Sequence, residues 1–118
     1  MKKTISFCLI LLCLLLTACG QESKTISTNA ALDLINDGAI IIDVRTKEEY
    51  DSGHIKDAIN VPLDVIDTIS YDKDKLIIVY CATGVRSLQA FNELKELGYT
   101  NIYNIDGGLL NWGGELEE

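Results

Sequence analysis

Short apolar runs alternate with amphipathic segments along most of this chain. Two of these runs, at residues 39–42 and 76–80, predict buried strands, and residues 58–61 and 101–105 are predicted to form two further strands. Helix signals occupy the segments around them, at residues 27–38, 46–53, 62–69 and 87–97. Strands that are apolar on both faces and alternate with helices indicate a parallel sheet covered by helices on both sides.

The predicted helix ends rest on particular residues. Ser27 or Thr28 is the expected N-cap of the first helix, and Gly38 ends it. Thr46 and Glu49 have the spacing of a capping box, in which a hydroxyl and a carboxylate each bind an exposed amide at the start of a helix. The second helix is therefore expected to begin directly after Thr46.

The N-terminal segment has a different pattern. Lys2 and Lys3 precede an apolar run at residues 5–16, which is too short to span a bilayer but has the length of a signal-peptide core. The run ends in Leu-Thr-Ala-Cys at residues 16–19, which resembles the lipobox of bacterial lipoproteins. The sequence thus predicts a signal peptide of the lipoprotein type over residues 1–18.

In that resemblance the chain is cut before Cys19, whose thiol carries lipid. Residues 19–24 then form a short polar tether, and acyl chains at one end anchor a folded domain stably. We expect a membrane-anchored lipoprotein on the extracytoplasmic side of a bacterial cell envelope. An ordinary cleavage site that precedes a cysteine is the alternative.

Charge and cysteine content restrict the function further. The net charge is −8, and the part after the predicted cleavage is more acidic still because Lys2 and Lys3 leave with the signal peptide. An acidic surface disfavours nucleic acid and electrostatic docking on anionic lipid. Of the four cysteines, Cys8 and Cys13 lie in the signal peptide and Cys19 takes lipid, which leaves Cys81 as the one free thiol. No cysteine-based metal site can then form.

Cys81 begins a loop that has the composition of an anion site. It follows the predicted strand at 76–80, and the loop Cys-Ala-Thr-Gly-Val-Arg ends at Arg86 where a helix begins. Loop amides and the helix N-terminus favour negative charge, so they shift a thiol toward the nucleophilic thiolate. Gly84 permits a tight turn, and Arg86 supplies a permanent cation. The alternative is a small apolar cysteine that packs at the end of a core strand.

The sequence resembles the single-domain rhodanese family at several motifs in register. They are Cys-Ala-Thr-Gly-Val-Arg-Ser at 81–87, Ile-Asp-Val-Arg at 42–45, Gly-His-Ile at 53–55, Ala-Ile-Asn-Val-Pro at 58–62, and Asp-Gly-Gly at 106–108 with Trp112. The resemblance implies an α/β domain over residues 25–118, with a five-stranded parallel sheet flanked by helices on both faces.

The resemblance also implies a sulfurtransferase that works in two steps. Cys81 takes a sulfur from thiosulfate or a persulfide and passes it to cyanide, a thiol or a protein acceptor. No metal or organic cofactor is implied. The substrate-binding residues would be those of the loop, Ala82, Thr83, Gly84, Val85 and Arg86, together with Arg45.

The remaining motif residues are interpreted mainly as structural. Asp43 and Arg45 are expected to form an ion pair that fixes the loops, with an anionic donor as a second candidate partner of Arg45. His54 is expected to be a hydrogen-bonded structural residue, and Trp112 to pack near the mouth of the site.

Two other functions remain open at this point. Arsenate reductases and dual-specificity phosphatases also use a cysteine loop closed by arginine, but theirs has one residue more than the four between Cys81 and Arg86. A non-catalytic module that carries sulfur to a partner is the other alternative, and the presence of Cys81 is compatible with it.

Overall fold

The structure, a computed structural model, describes residues 24–118. Seven strands are present there: β1 (Thr25–Ile26), β2 (Ile40–Asp43), β3 (His54–Ile55), β4 (Ile59–Asn60), β5 (Ile77–Tyr80), β6 (Ile102–Ile105) and β7 (Leu116–Glu117). Three α-helices, α1 (Thr28–Asn36), α2 (Lys47–Asp51) and α3 (Val85–Glu96), and two 3-10 helices, at Leu63–Thr68 and Gly108–Asn111, connect them. The predicted signal peptide, the predicted tether up to residue 23 and the predicted lipid site at Cys19 lie outside the described residues.

Five strands form one parallel sheet in the order β1-β6-β5-β2-β4. This confirms the predicted sheet and its strand number. The four strands predicted from the sequence are β2, β4, β5 and β6, each with ends that differ by a residue or two. The fifth, β1, is a two-residue edge strand that pairs with β6. A separate antiparallel pair, β3 with β7, has no counterpart among the predicted runs.

Helices cover both faces of the sheet, and alternate side chains of the central strand enter two different cores. Ile77, Val79 and Cys81 face a cluster with α3 and the first 3-10 helix. Ile78 and Tyr80 face a second cluster with α1 and α2. All five of these side chains are buried, which is why β5 reads as uninterrupted apolar sequence.

The helix caps agree with the sequence in most places. Ser27 rather than Thr28 caps α1, because its hydroxyl accepts a hydrogen bond from the Ala30 amide. Both hydrogen bonds of the capping box between Thr46 and Glu49 are present at the start of α2. These caps fix where the chain enters each helix and hence the direction of α2.

Two helices differ from their predicted form. The helix after Pro62 is a 3-10 helix, with a non-helical conformation at Val65. Helix α3 begins at Val85, two residues earlier than predicted, because Gly84 takes a left-handed conformation at its N-cap. The Cys81 loop is therefore shorter than the sequence suggested. Within residues 24–118, no helix is both long enough and apolar enough to cross a membrane.

Candidate active site

Cys81 lies at the carboxyl edge of the parallel sheet, directly after β5. In the register of β2 and β5, Asp43 is opposite Tyr80, so the residues after both strands emerge at the same edge. Sites in open parallel sheets form at this edge, where loops diverge from the strand ends. The predicted position of Cys81 is confirmed by this topology.

The loop turns its backbone donors toward the Cys81 sulfur. The Gly84 amide lies 3.1 Å from Sγ, and the amide and the hydroxyl of Ser87 each lie 3.4 Å from it. Gly84 has φ +94°, a conformation that L side chains rarely adopt. Cys81 itself is only 1% exposed, so these donors surround a sulfur that water barely reaches.

These hydrogen bonds favour the thiolate over the thiol. Burial raises the pKa of Cys81, because it removes water from the charged form, but hydrogen bonds to the sulfur outweigh burial and leave the pKa below its ordinary value. The donors, in decreasing order, are the Ser87 hydroxyl and the amides of Ser87, Thr83 and Gly84. The site thus stabilises a negative charge on sulfur through amide and hydroxyl donors.

The second 3-10 helix, Gly108–Asn111, packs behind the Cys81 loop and acts as a brace for it. The amides of Leu109 and Leu110 donate to the carbonyl oxygens of Cys81, at 3.0 Å, and Ala82, at 3.1 Å. Gly108 lies so close that a side-chain carbon there would overlap the Cys81 carbonyl. The second 3-10 helix therefore holds the first peptide units of the loop in place.

Arg86 does not extend freely toward the loop. Its Nη1 and Nη2 donate to Oε1 and Oε2 of Glu49 at 2.7 and 2.9 Å, a bidentate pair that joins α3 to α2. The hydrogen bonds from Arg86 lower the pKa of Glu49 to about 2, so the carboxylate stays ionised at physiological pH. The cation predicted for the far end of the loop is present, but a carboxylate already compensates it.

A groove of about 450 Å³ opens beside Arg86, between α3 and the first 3-10 helix. Its lining mixes apolar, polar and acidic side chains: Val44, Thr46, Pro62, Leu63, Asp64, Arg86, Gln89 and Glu93. The groove is open to solvent, and of the residues 81–86 it is lined by Arg86.

Arg45 belongs to a buried network on the other face of the sheet. Its Nη2 lies 2.7 Å from Asp43 and donates to the Gly53 carbonyl oxygen at 2.6 Å, and the residue is 6% exposed. The Tyr80 hydroxyl donates to Asp43 at 2.7 Å and accepts from the Ile55 amide at 3.0 Å. The predicted ion pair is confirmed, while contact between Arg45 and an anionic donor stays a prediction.

His54 and Trp112 are both placed by packing. His54 stacks on Tyr50 with ring centroids 3.8 Å apart, and its Nδ1 lies 3.2 Å from the Tyr50 carbonyl oxygen. This agrees with the structural interpretation of His54. Trp112 packs against the cluster beneath α1, which confirms a packing role but places the ring on the opposite face of the sheet from Cys81.

Three residues that shape the site were not predicted from the sequence as site residues. Ser87 donates to the sulfur, Glu49 binds Arg86, and Gly108 allows the brace to approach. Ser87 does occur in the loop motif and Gly108 in the Gly-Gly motif, so both carried a signal. Glu49 was predicted only as a helix cap, and its contact with Arg86 spans 37 residues of sequence. Among the described residues no cluster of three or more His, Cys, Asp or Glu side chains could hold a metal ion.

Together the fold and the loop define an α/β domain with a buried cysteine held among amide donors at the carboxyl edge of a parallel sheet. Comparison with known families agrees: the profile of the Rhodanese-like domain matches residues 27–115. The chain belongs to the rhodanese-like domain family.

Two solved structures are similar over nearly their full length. A rhodanese-like domain protein from Staphylococcus aureus is 34% identical, with a TM-score of 0.71, over 80% of this chain and 96% of that one. The human single-domain sulfurtransferase is 26% identical, also with a TM-score of 0.71, over 77% of this chain and 96% of that one. Both support the sheet topology described above.

A curated relative extends well beyond this chain. The tRNA uridine(34) hydroxylase of Erwinia tasmaniensis is 33% identical over 84% of this chain but only 30% of its own length. The chain thus spans about a third of that relative.

Proposed function

We propose that this protein is a sulfurtransferase that carries sulfur as a persulfide on Cys81. The observation that carries the proposal is the set of donors around the sulfur, which are the Gly84 amide and the amide and hydroxyl of Ser87. They stabilise a thiolate before reaction, and all three lie within hydrogen-bond distance of the same sulfur. The name of the human relative, a single-domain sulfurtransferase, is consistent with this chemistry.

In the first step the Cys81 thiolate attacks the outer sulfur of a donor such as thiosulfate. The new bond joins Sγ to that sulfur, while the sulfur–sulfur bond of thiosulfate breaks and sulfite leaves with its electron pair. In the second step an acceptor such as cyanide or a thiolate attacks the terminal sulfur, and Cys81 leaves as a thiolate. Sulfur and electrons balance over the cycle, so no further oxidant or reductant is required.

The loop replaces a general base in this mechanism. Thiolate and persulfide both carry negative charge, and neither step needs a proton at the reacting sulfur once the thiolate is formed. Preorganised amides aimed at the position of developing charge lower the barrier without reorganisation. His54 is not required, which fits its stacked position on Tyr50.

We further propose that the protein acts at the extracytoplasmic side of a bacterial membrane, held by lipid on Cys19. The support is the order of lysines, apolar run and Leu-Thr-Ala-Cys in the sequence. A nucleic-acid substrate is not proposed, because the net charge of −8 disfavours a polyanion.

The proposal is tested by mass spectrometry of the purified domain after incubation with thiosulfate. We expect one added sulfur atom on Cys81, removed again by cyanide, and none on the Cys81→Ser variant. Serine is nearly isosteric but cannot form a persulfide, so the variant should fold and be inactive. Steady-state thiosulfate:cyanide assays then distinguish a catalyst from a carrier. A catalyst turns over repeatedly, whereas a carrier is loaded with sulfur once and does not turn over without its partner. A wild-type protein that takes sulfur from no sulfane donor contradicts the proposal.

A further inference from the structure

Glu49 has two partners that fix it at the edge of the site. Its Oε1 accepts hydrogen bonds from the Thr46 amide and hydroxyl, each at 3.2 Å, so the carboxylate is held by its own helix. The same carboxylate binds both terminal nitrogens of Arg86, five residues beyond Cys81. Helix α2 therefore places a negative charge against Arg86, the one cation among residues 81–86.

This pairing changes the charge that a donor meets. The chain has two arginines, and both are bound to carboxylates, Arg45 to Asp43 and Arg86 to Glu49. The groove beside Arg86 also contains Asp64 and Glu93, which make no ion pair within residues 24–118. A donor that approaches from the groove thus meets two acidic side chains and a guanidinium whose charge is already compensated.

We propose that Glu49 is a specificity-determining residue, which neutralises Arg86 and thereby selects sulfane donors of low negative charge over dianions such as thiosulfate. The inference rests on the sulfurtransferase function proposed above and adds the class of donor. Alkanethiosulfonate anions and simple alkyl persulfides belong to that class, since each carries at most one negative charge. The loop amides bind the transferred sulfur, while Glu49 disfavours additional negative charge on the rest of the donor.

Two donors that differ mainly in charge test this. Thiosulfate is a dianion and methanethiosulfonate a monoanion, and each passes its outer sulfur to Cys81 while a sulfur oxyanion leaves. The kcat/KM for the donor reports the first half-reaction alone in ping-pong kinetics, with cyanide as the common acceptor. Comparing the ratio of the two donors between variants cancels their intrinsic reactivity.

Glu49→Gln removes the charge but keeps an amide oxygen for the cap. We expect kcat/KM for thiosulfate to rise about fivefold at low ionic strength, and that for methanethiosulfonate to rise clearly less, because one unit charge is uncovered near a partly exposed site. The gain should shrink in 0.5 M salt, where such charges are screened. Glu48→Gln is the matched control, since it makes the same change of net charge one residue away, where no hydrogen bond joins the side chain to Arg86.

The opposite charge change provides a second, independent measurement. Arg86→Gln leaves Glu49 uncompensated, so thiosulfate should lose more activity than methanethiosulfonate. The double variant Glu49→Gln with Arg86→Gln should return toward the wild-type preference, because both charges are gone.

The outcomes separate the inference from the function on which it rests. If Glu49→Gln lowers kcat/KM equally for both donors, the selectivity role is wrong and Glu49 is a structural cap. The same conclusion follows if Glu48→Gln raises kcat/KM for thiosulfate as much as Glu49→Gln does. If wild type forms no persulfide with either donor, the proposed function is wrong, and this inference is wrong as well. If Glu49→Gln does not fold, an unchanged donor preference in Arg86→Gln overturns the inference by itself.

Discussion

The hydroxyl oxygen of Ser87 lies 3.4 Å from the sulfur of Cys81, and the amide of the same residue lies at the same distance. Ser87 is fully buried in the first turn of α3. It therefore contributes two donors to one sulfur, one of which can be removed by substitution without changing the backbone. This makes the contribution of a single hydrogen bond to the reactivity of Cys81 measurable.

Ser87→Ala should weaken the stabilisation of the Cys81 thiolate. Losing the hydroxyl raises the pKa of Cys81, so at neutral pH a smaller fraction is thiolate and sulfur transfer falls roughly threefold to thirtyfold. The pH dependence of alkylation by iodoacetamide checks the cause. The rate should rise with pH in both proteins but level off at a higher pH in the variant.

Ser70→Ala, at an exposed position outside the site, serves as the control and should match wild type. Superimposable pH profiles for Ser87→Ala and wild type would remove Ser87 from the stabilisation of the sulfur.

Gly108→Ala should disrupt the brace behind the loop. The added carbon would overlap the carbonyl of Cys81, which is backbone and cannot rotate away, and φ is +52°. We expect the free energy of unfolding to fall by about 3 kcal/mol and sulfur transfer to fall at least tenfold, from combined clash and backbone strain. Chemical denaturation and thiosulfate:cyanide assays measure the two effects.

Gly113→Ala separates strain from contact. Gly113 also has a positive φ, +64°, but nothing lies within 4 Å of the added carbon. That variant should lose about 1 kcal/mol of stability and keep its activity. Equal losses of activity in the two variants would show that the close approach of Gly108 to Cys81 has no special importance.

Loop length should decide between sulfur and phosphate chemistry. Four residues separate Cys81 from Arg86, and the amides converge on one sulfur. Inserting one glycine between Gly84 and Val85 should reduce sulfur transfer on the order of a hundredfold, because displacing the amides by about 1 Å is enough for such a loss. Wild type should hydrolyse no aryl phosphate, and both proteins are assayed with both substrates. Phosphatase activity in wild type without any sulfur transfer would reverse the assignment.

Cys19→Ala should leave the protein unlipidated and unprocessed at this site. Wild type expressed in bacteria should partition with membranes and lose residues 1–18, which fractionation and mass spectrometry of the intact protein determine. A wild-type protein recovered in the soluble fraction with an unmodified Cys19 thiol would exclude the lipid anchor.

The predicted elements and the observed ones differ where the sequence signal is short. Uninterrupted apolar runs at 39–42 and 76–80 identified β2 and β5, because a strand buried on both faces leaves few polar positions. The segments behind β4 and β6, at 58–61 and 101–105, were predicted as strands although each contains asparagine. In contrast, β1 and the β3–β7 pair have two residues per strand, which is too few for any periodicity. The strand number was expected from the family motifs rather than from the apolar pattern.

The position of Cys81, the candidate nucleophile, was predictable for a local reason. A cysteine that follows a buried strand and precedes a helix lies at the carboxyl edge of the parallel sheet. Gly84, three residues later, indicates a tight turn at that edge. The Asp43–Arg45 ion pair was likewise predictable, since its members are two residues apart. Site features carried by neighbouring residues thus follow from the sequence.

The amino-acid sequence alone was enough to order four strands and four helices along the chain, to identify the Cys81 loop with its candidate nucleophile, and to locate the helix caps. Tertiary structure decided which charges meet: Arg86 reads as a free cation in the sequence, but Glu49, 37 residues away, binds it in the folded chain. It also decided that Gly108 touches the loop and that Trp112 packs on the opposite face from Cys81. The physical reason is that charge compensation and close packing act through space, whereas periodicity, capping and turn chemistry act between neighbours along the chain.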